Sequence, residues 1–156
     1  MLRKITRKLL KLFGESGLWR AIGRLHTRLY RASGGRLGLH TPGLEHLLLT
    51  TTGRKSGRPR TSPVTFLREG DSYLVVASNG GADRHPAWWL NLEAEPHAWI
   101  EVGSEKLAVI AKRADPDEEA RLWGLLEAYN PFYSQYRQIT IRDIPIVVLC
   151  PVGSGA

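Results

Sequence analysis

Six short segments, most of them separated by only a few turn residues, constrain this chain more than anything else in it. His46–Thr52, Thr61–Arg68, Ser72–Ser78, His97–Val102, Lys106–Arg113 and Ile144–Leu149 carry the β-branched, aromatic and leucine content that suits a pleated strand. Glu69-Gly70-Asp71 and Gly103-Ser104-Glu105 read as tight hairpin turns. Short strands joined this closely pair antiparallel, and a sheet built from them curls into a barrel. The predicted class is α+β, mainly β.

Two helical stretches precede the strands. Residues 2–13 set Leu2, Ile5, Leu9, Leu12 and Phe13 on one side and Lys4, Arg7, Lys8 and Lys11 on the other. Gly14 and Gly17 interrupt the pattern, and Ser16 suits the cap of a second helix. That helix has a stripe of Leu18, Ile22, Leu25 and Leu29, with Arg20, Arg24, Arg28 and Arg31 opposite. Residues 1–36 hold ten Lys/Arg against Glu15 alone, so this segment is strongly basic and the rest of the chain, with twelve Lys/Arg against fourteen acids, is slightly acidic within the net charge of +7. The chain therefore divides into a basic amphipathic segment, 1–36, and a barrel domain, 37–156. Such a segment can meet an anionic membrane, cover an anionic ligand tail, or pack its apolar faces on the barrel. Packing is expected for the second helix, and the first is open. Nucleic acid is not expected, because no aromatics are interleaved with the charges for stacking on bases.

Cys150 is the single cysteine, so no disulfide forms within the chain and a reducing, cytoplasmic setting is expected. Its neighbours Val147, Val148 and Leu149 suggest a buried structural thiol. The run Ile144–Val152 is too short to span a bilayer, and it contains Pro145 and Pro151. The N-terminal apolar residues are broken by charge at every turn, unlike a signal peptide. A soluble protein, or one peripheral on the inner face of the membrane, is expected. The histidines have no metal-ligand spacing with cysteines or acids, so no metal site is expected.

Between the first two strands lies Thr50-Thr51-Thr52-Gly53-Arg54-Lys55-Ser56-Gly57-Arg58-Pro59-Arg60. Turn amides with Arg54, Lys55, Arg58 and Arg60 could cradle a phosphate or carboxylate. A solvated basic turn is the alternative. Further on, Pro86–Leu92 reads as a short helix with Pro86 at its first position. Asp115-Pro116-Asp117-Glu118 opens a longer one with capping-box spacing, whose apolar face is Leu122, Leu125, Leu126 and Tyr129.

Four stretches in this order resemble one family: Leu48–Gly57, Ala77-Ser78-Asn79-Gly80-Gly81, Pro86-Ala87-Trp88-Trp89-Leu90-Asn91-Leu92, and Arg142–Val148. About residues 44–152 are similar to the deazaflavin-dependent nitroreductases of actinobacteria, which use coenzyme F420. The resemblance implies a split β-barrel and hydride transfer from reduced F420 to a hydrophobic acceptor such as a quinone or nitroaromatic. It implies that Thr52, Gly53, Arg54, Lys55, Ser56, Gly57, Arg58 and Arg60 hold the cofactor's phosphodiester and glutamate tail. Pro63, Val64, Thr65, Ala77, Ser78, Asn79, Pro86, Ala87, Trp88, Trp89 and Asn91 would line its ring. Tyr129, Tyr133 and Tyr136 would face the acceptor, with Tyr133 and Ser78 as proton or hydrogen-bond donors. Aromatic packing at the barrel rim is the plainer reading of that tyrosine cluster, and of Trp88 and Trp89. His85 would more simply be a solvated loop residue than a cofactor contact.

Departures from the family pattern narrow the expectation. Asn79 stands where a lysine is common, Trp89 replaces a frequent tyrosine, and Thr65 and Asn130 replace tyrosines of the nitroimidazole-reducing branch. Cofactor binding tolerates these changes, and prodrug nitroreduction is the activity they weaken. An FMN-binding split barrel and a non-enzymatic lipid- or cofactor-binding protein are the competing readings. Both dimers and monomers are implied for relatives, so oligomeric state is left open.

Overall fold

The computed structural model describes residues 17–35 and 42–153. The helix expected over residues 2–13, and its neighbours to Ser16, lie outside them. Six strands follow one another as β1 (Glu45–Thr52), β2 (Pro59–Glu69), β3 (Ser72–Val76), β4 (His97–Val102), β5 (Glu105–Arg113) and β6 (Ile146–Pro151). They close into an antiparallel barrel in the order β1-β2-β3-β6-β5-β4, with β4 pairing back onto β1. Among the described residues four α-helices accompany them: α1 (Gly17–Ala32), α2 (Ala87–Ala94), α3 (Pro116–Tyr129) and α4 (Phe132–Ile139).

Alternation along the strands decides what fills the barrel. Leu47 and Leu49 of β1, Val75 of β3, Ile100 of β4, Val109 of β5 and Val147 and Leu149 of β6 form the interior, and Trp88, Trp89 and Leu92 of α2 join the same cluster. The opposite faces are covered as well. Leu74 and Val76 of β3 and Ile146 of β6 pack against Leu122, Trp123 and Leu126 of α3 and Tyr133 of α4. Burial on both faces explains why Tyr73–Ala77 reads as an unbroken apolar run.

Helix α1 is tied down at one residue more than any other. The Tyr30 hydroxyl accepts from the Gly103 amide at 2.8 Å and lies 3.1 Å from the His46 carbonyl oxygen, so one side chain joins α1 to β1 and to the β4–β5 turn. Arg31 adds a forked ion pair to Glu101, at 2.6 and 2.9 Å. Gly35, at φ +85°, lets the chain pass so close that a Cβ there would sit 2.6 Å from Gly103 Cα.

Several expectations need correction. The buried face of α1 is His26 and Tyr30, while Leu25 and Leu29 are 58% and 42% exposed. Both pairs have helical i, i+4 spacing, so periodicity could not choose between stripes one residue apart. Pro86 is the cap before α2 rather than its first residue. Pro116 does begin α3, but Asp115 makes no side-chain capping bond and Glu118 pairs with Arg121 instead. On α3 the apolar face includes Trp123, and Leu125 is exposed. The third strand stops at Val76 rather than Ser78, and the last begins at Ile146 rather than Ile144. Cys150 is half-buried, with its sulfur 3.8 Å from the Ser72 hydroxyl.

Candidate functional site

The barrel is split where β2 and β3 part. Strand β3 pairs only with Phe66–Glu69 of β2, so over Ser62–Thr65 the β2 edge away from β1 has no strand beside it. Pro63 is tolerated there because an edge position needs no ladder donor. A cavity of about 1160 Å³ fills the gap. Ser62, Pro63, Val64 and Thr65 form one wall. Val76 at the end of β3 and Ser78, Asn79, Gly80, Arg84 and His85 from the segment after it contribute another, and Pro86, Ala87, Trp88 and Leu90 come from the start of α2. Asn130, Phe132, Tyr133 and Tyr136 come from the α3–α4 junction and α4.

The cavity has two chemically different ends, ordered along β2. Arg54 lies at the end where β2 begins, and Leu44 at the end beside Thr65, which pairs with His46 in register. Three residues of extended chain separate Ser62 from Thr65, on the order of 10 Å. Phe132, half exposed, also lines the cavity. Along β2, then, Arg54 stands at one end and Leu44 at the other, and Arg84 adds a second cation to the lining.

The loop before β2 is closed on itself. Gly53 N–H donates to Arg58 O at 2.9 Å, Ser56 N–H and Gly57 N–H both donate to Gly53 O, and Arg58 N–H donates to the Ser56 hydroxyl at 3.3 Å. Arg54 N–H donates to Asn91 Oδ1 at 3.1 Å. The amides of Gly53, Arg54, Ser56, Gly57 and Arg58 are thus spent within the protein, and the task of holding an anion falls chiefly to side-chain cations. Of these only Arg54 borders the cavity, while Lys55 and Arg58 on the loop and Arg60 at the start of β2 are exposed outside it.

Asn91 is buried and does not line the cavity. Its amide nitrogen donates to Thr51 Oγ1 at 3.0 Å while its oxygen receives both the Arg54 amide and guanidinium, so it anchors Arg54 from behind. Thr52, Gly53, Ser56 and Gly57 likewise shape the loop without lining the cavity, and Ala77 and Trp89 are buried in the core. The structure brings together Arg54, Pro63, Val64, Thr65, Ser78, Asn79, Pro86, Ala87, Trp88, Tyr133 and Tyr136. Tyr129 stands apart, with its hydroxyl accepting from the Glu45 amide at 2.6 Å.

Tyr133 is buried and packs against Tyr136 at a ring separation of 6.4 Å. Burial pushes its phenol up to about 12, although a hydrogen bond with Asn130 pulls the other way. A phenol so shifted stays protonated at neutral pH, so its O–H is available to donate. Burial also raises Tyr136.

Sequence reading missed Arg142. Its five guanidinium N–H groups have five acceptors: Ala82 O at 2.8 Å from Nε, Asp143 O at 3.0 Å and His85 Nδ1 at 3.2 Å from Nη1, and Ser78 O at 2.7 Å and Ala77 O at 3.1 Å from Nη2. Burial lowers its pKa below the ordinary 12.5. The clamp fixes the whole segment from Ala77 to His85, and with it that wall of the cavity. Arg84 was also missed, and His85, read as more simply a solvated loop residue than a cofactor contact, lines the cavity. Among the described residues no group of His, Cys, Asp and Glu could hold a metal.

The sequence pattern of the F420H(2)-dependent quinone reductase family matches residues 22–151. An F420H(2)-dependent quinone reductase of Mycobacterium tuberculosis is 45% identical over 130 residues, which are 81% of this chain and 87% of that protein. Among solved structures, an F420-H2 dependent reductase is 33% identical with a TM-score of 0.61, covering 72% of this chain and 99% of its own. A protein solved as a domain-swapped dimer is 31% identical with a TM-score of 0.65, covering 79% of this chain and 90% of its own.

Proposed function

Because this chain belongs to the F420H(2)-dependent quinone reductase family, we propose that its split-barrel cavity takes F420H2 and acceptor side by side, with the cofactor's anionic half toward Arg54. The protein is an oxidoreductase that uses reduced F420 to reduce a quinone. The residues present fit the cofactor. At about 1160 Å³ the cavity exceeds the roughly 300–1,000 Å³ typical of a single small-ligand site, which leaves room for two molecules. A cation at one end suits the phosphodiester, and the edge of β2 with Pro86, Ala87 and Trp88 suits a flat ring. When bound, F420H2 supplies the hydride.

This chain's residues do the rest. Arg54, held by Asn91, binds the anionic half. The β2 edge orients the ring, and Trp88, Tyr136 and Phe132 exclude water from it. Tyr133 holds a proton at its hydroxyl oxygen for the developing oxyanion of the reduced acceptor, with the Ser78 hydroxyl as a second donor. The observation that carries this reading is the buried Tyr133 on the same cavity as Arg54 and the β2 edge. Absorbance of F420H2 should fall on adding a soluble quinone. Tyr133→Phe should lower kcat by about 10- to 100-fold with KM for F420H2 within about threefold. An unchanged kcat would remove Tyr133 from the chemistry. Nitroimidazoles should be poor acceptors, since Thr65 and Asn130 make the acceptor end less aromatic.

A second element of the proposal concerns location. Leu25 and Leu29 are exposed on α1 beside the exposed Arg24 and Arg28, an arrangement suited to an anionic membrane face where a lipid-soluble quinone resides. Among the described residues no helix is long and apolar enough to cross a membrane. Residues 1–36 would act as a peripheral anchor on the cytoplasmic face, in an actinobacterial cell like those of the mycobacterial relatives. Sedimentation with anionic liposomes, abolished by Leu25→Glu/Leu29→Glu, would support this. Sedimentation unaffected by that change would refute it.

A further inference from the structure

We propose that His85 is a cofactor-binding residue, presenting an Nε2–H donor to an acceptor oxygen of the deazaflavin, and that Arg142 is the positioning residue that sets it. The inference rests on the reading of the cavity as the F420 site. Its geometry does not depend on that reading. Arg142 Nη1 lies 3.2 Å from His85 Nδ1. A guanidinium has donors and no acceptor, so Nδ1 must be the accepting nitrogen, and the ring hydrogen is therefore on Nε2. His85 lines the cavity while Arg142 does not, so the ring edge turned away from the clamp is the edge the ligand meets.

Arg142 cannot swing to release the ring. Its other N–H groups are held by the carbonyls of Ala77, Ser78, Ala82 and Asp143, four backbone groups that would all lose a partner if it moved. The imidazole is thereby fixed in tautomer as well as in place, as second-layer partners fix metal-bound histidines. The occupant is the cofactor rather than the acceptor, because His85 stands between Arg84, a cation a neutral quinone does not call for, and Pro86-Ala87-Trp88, the wall that suits the flat ring.

The test combines fluorescence titration of oxidised F420 with ¹⁵N NMR of the histidines, on the full chain. His85→Ala should weaken binding by about tenfold, and His85→Gln, which keeps an N–H donor, should recover most of it. NMR should show wild-type His85 with Nδ1 bare and Nε2 protonated, and Arg142→Lys should give a mixture of tautomers. Thermal melts of the variants separate loss of contact from loss of fold. An equal loss with a phosphate-free deazaflavin fragment would assign the contact to the ring, and a loss confined to intact F420 would assign it to the phosphodiester. Wild-type binding with His85→Ala unchanged within about twofold, or a His85 ring protonated at Nδ1, would overturn this proposal alone. Failure of the wild type to bind F420 would overturn the cavity reading and this proposal with it.

Discussion

Strand β2 and the Ala77–His85 segment border the same cavity, yet they are anchored in different ways. Residues 62–65 of β2 belong to a ladder in which Glu45–Thr52 pairs with Pro59–Phe66 without interruption. Behind it, Leu47 and Leu49 are fully buried in the barrel. The Ala77–His85 segment leaves the sheet after Val76 and is held by one guanidinium at three of its carbonyls. Ala77 N–H on Pro145 O and the Thr140 hydroxyl on Ala82 O are further bonds to the rest of the chain. A ladder resists change at any single residue, because its bonds are distributed along the strand. A clamp concentrates the same task in one side chain. The wall that must be shaped most closely to the ligand is therefore the one whose geometry one substitution can alter.

The largest expected effect tests the ladder side. Leu47→Ala should cost about 3 kcal/mol of stability in chemical denaturation, through lost burial and the cavity left behind. F420 affinity of the folded molecules should stay within about twofold, and a comparable loss of affinity would break the contrast between the walls. Next comes the clamped side. Gly81 stands at φ +77°, and a Cβ there would lie 2.5 Å from Ile139 Cδ1. Gly81→Ala should cost about 1–2 kcal/mol, since strained backbone adds to a contact that the flexible Ile139 tip relieves in part. Here affinity should fall together with stability, and retained affinity would show that the segment tolerates displacement.

The smallest effect at neutral pH concerns Tyr133. Its folded pKa, raised to about 12, lies above the ordinary 10.0, so the fold favours the protonated phenol. That stabilisation is fully present below about pH 10 and is lost as pH rises through about 12. Replacing the phenol by Tyr133→Phe should leave the neutral melting temperature nearly unchanged and weaken the alkaline fall in stability. An alkaline limb of the same steepness would mean that Tyr133 does not drive it.

The ladder side was legible in the sequence because alternation and hairpin glycines are local signals. Six strands were read, and their order in the chain stands, with ends displaced by one or two residues. What was illegible depends on partners far along the chain. Arg142 meets carbonyls 60 to 65 residues away and an imidazole 57 residues away, and nothing in an Arg-Asp-Ile-Pro string announces that. Local pattern also misjudged α1, where Tyr30 wins the buried face because one hydroxyl can join two strands. The basic loop was recognised by composition, but which of its cations border the cavity is decided by Asn91, a residue of another element. The acceptor end was read only by resemblance, and Phe132 and Leu44 emerged from the structure.

Fluorescence titration of the purified chain with oxidised F420 and, separately, with FMN would test the central claim most directly, using wild type, Arg54→Ala and Lys55→Ala. Micromolar binding of F420 and none of FMN is predicted, with Arg54→Ala weaker by about tenfold for loss of a charge-assisted contact and Lys55→Ala weakened much less. Binding of FMN in place of F420, or equal affinity in all three proteins, would contradict the account.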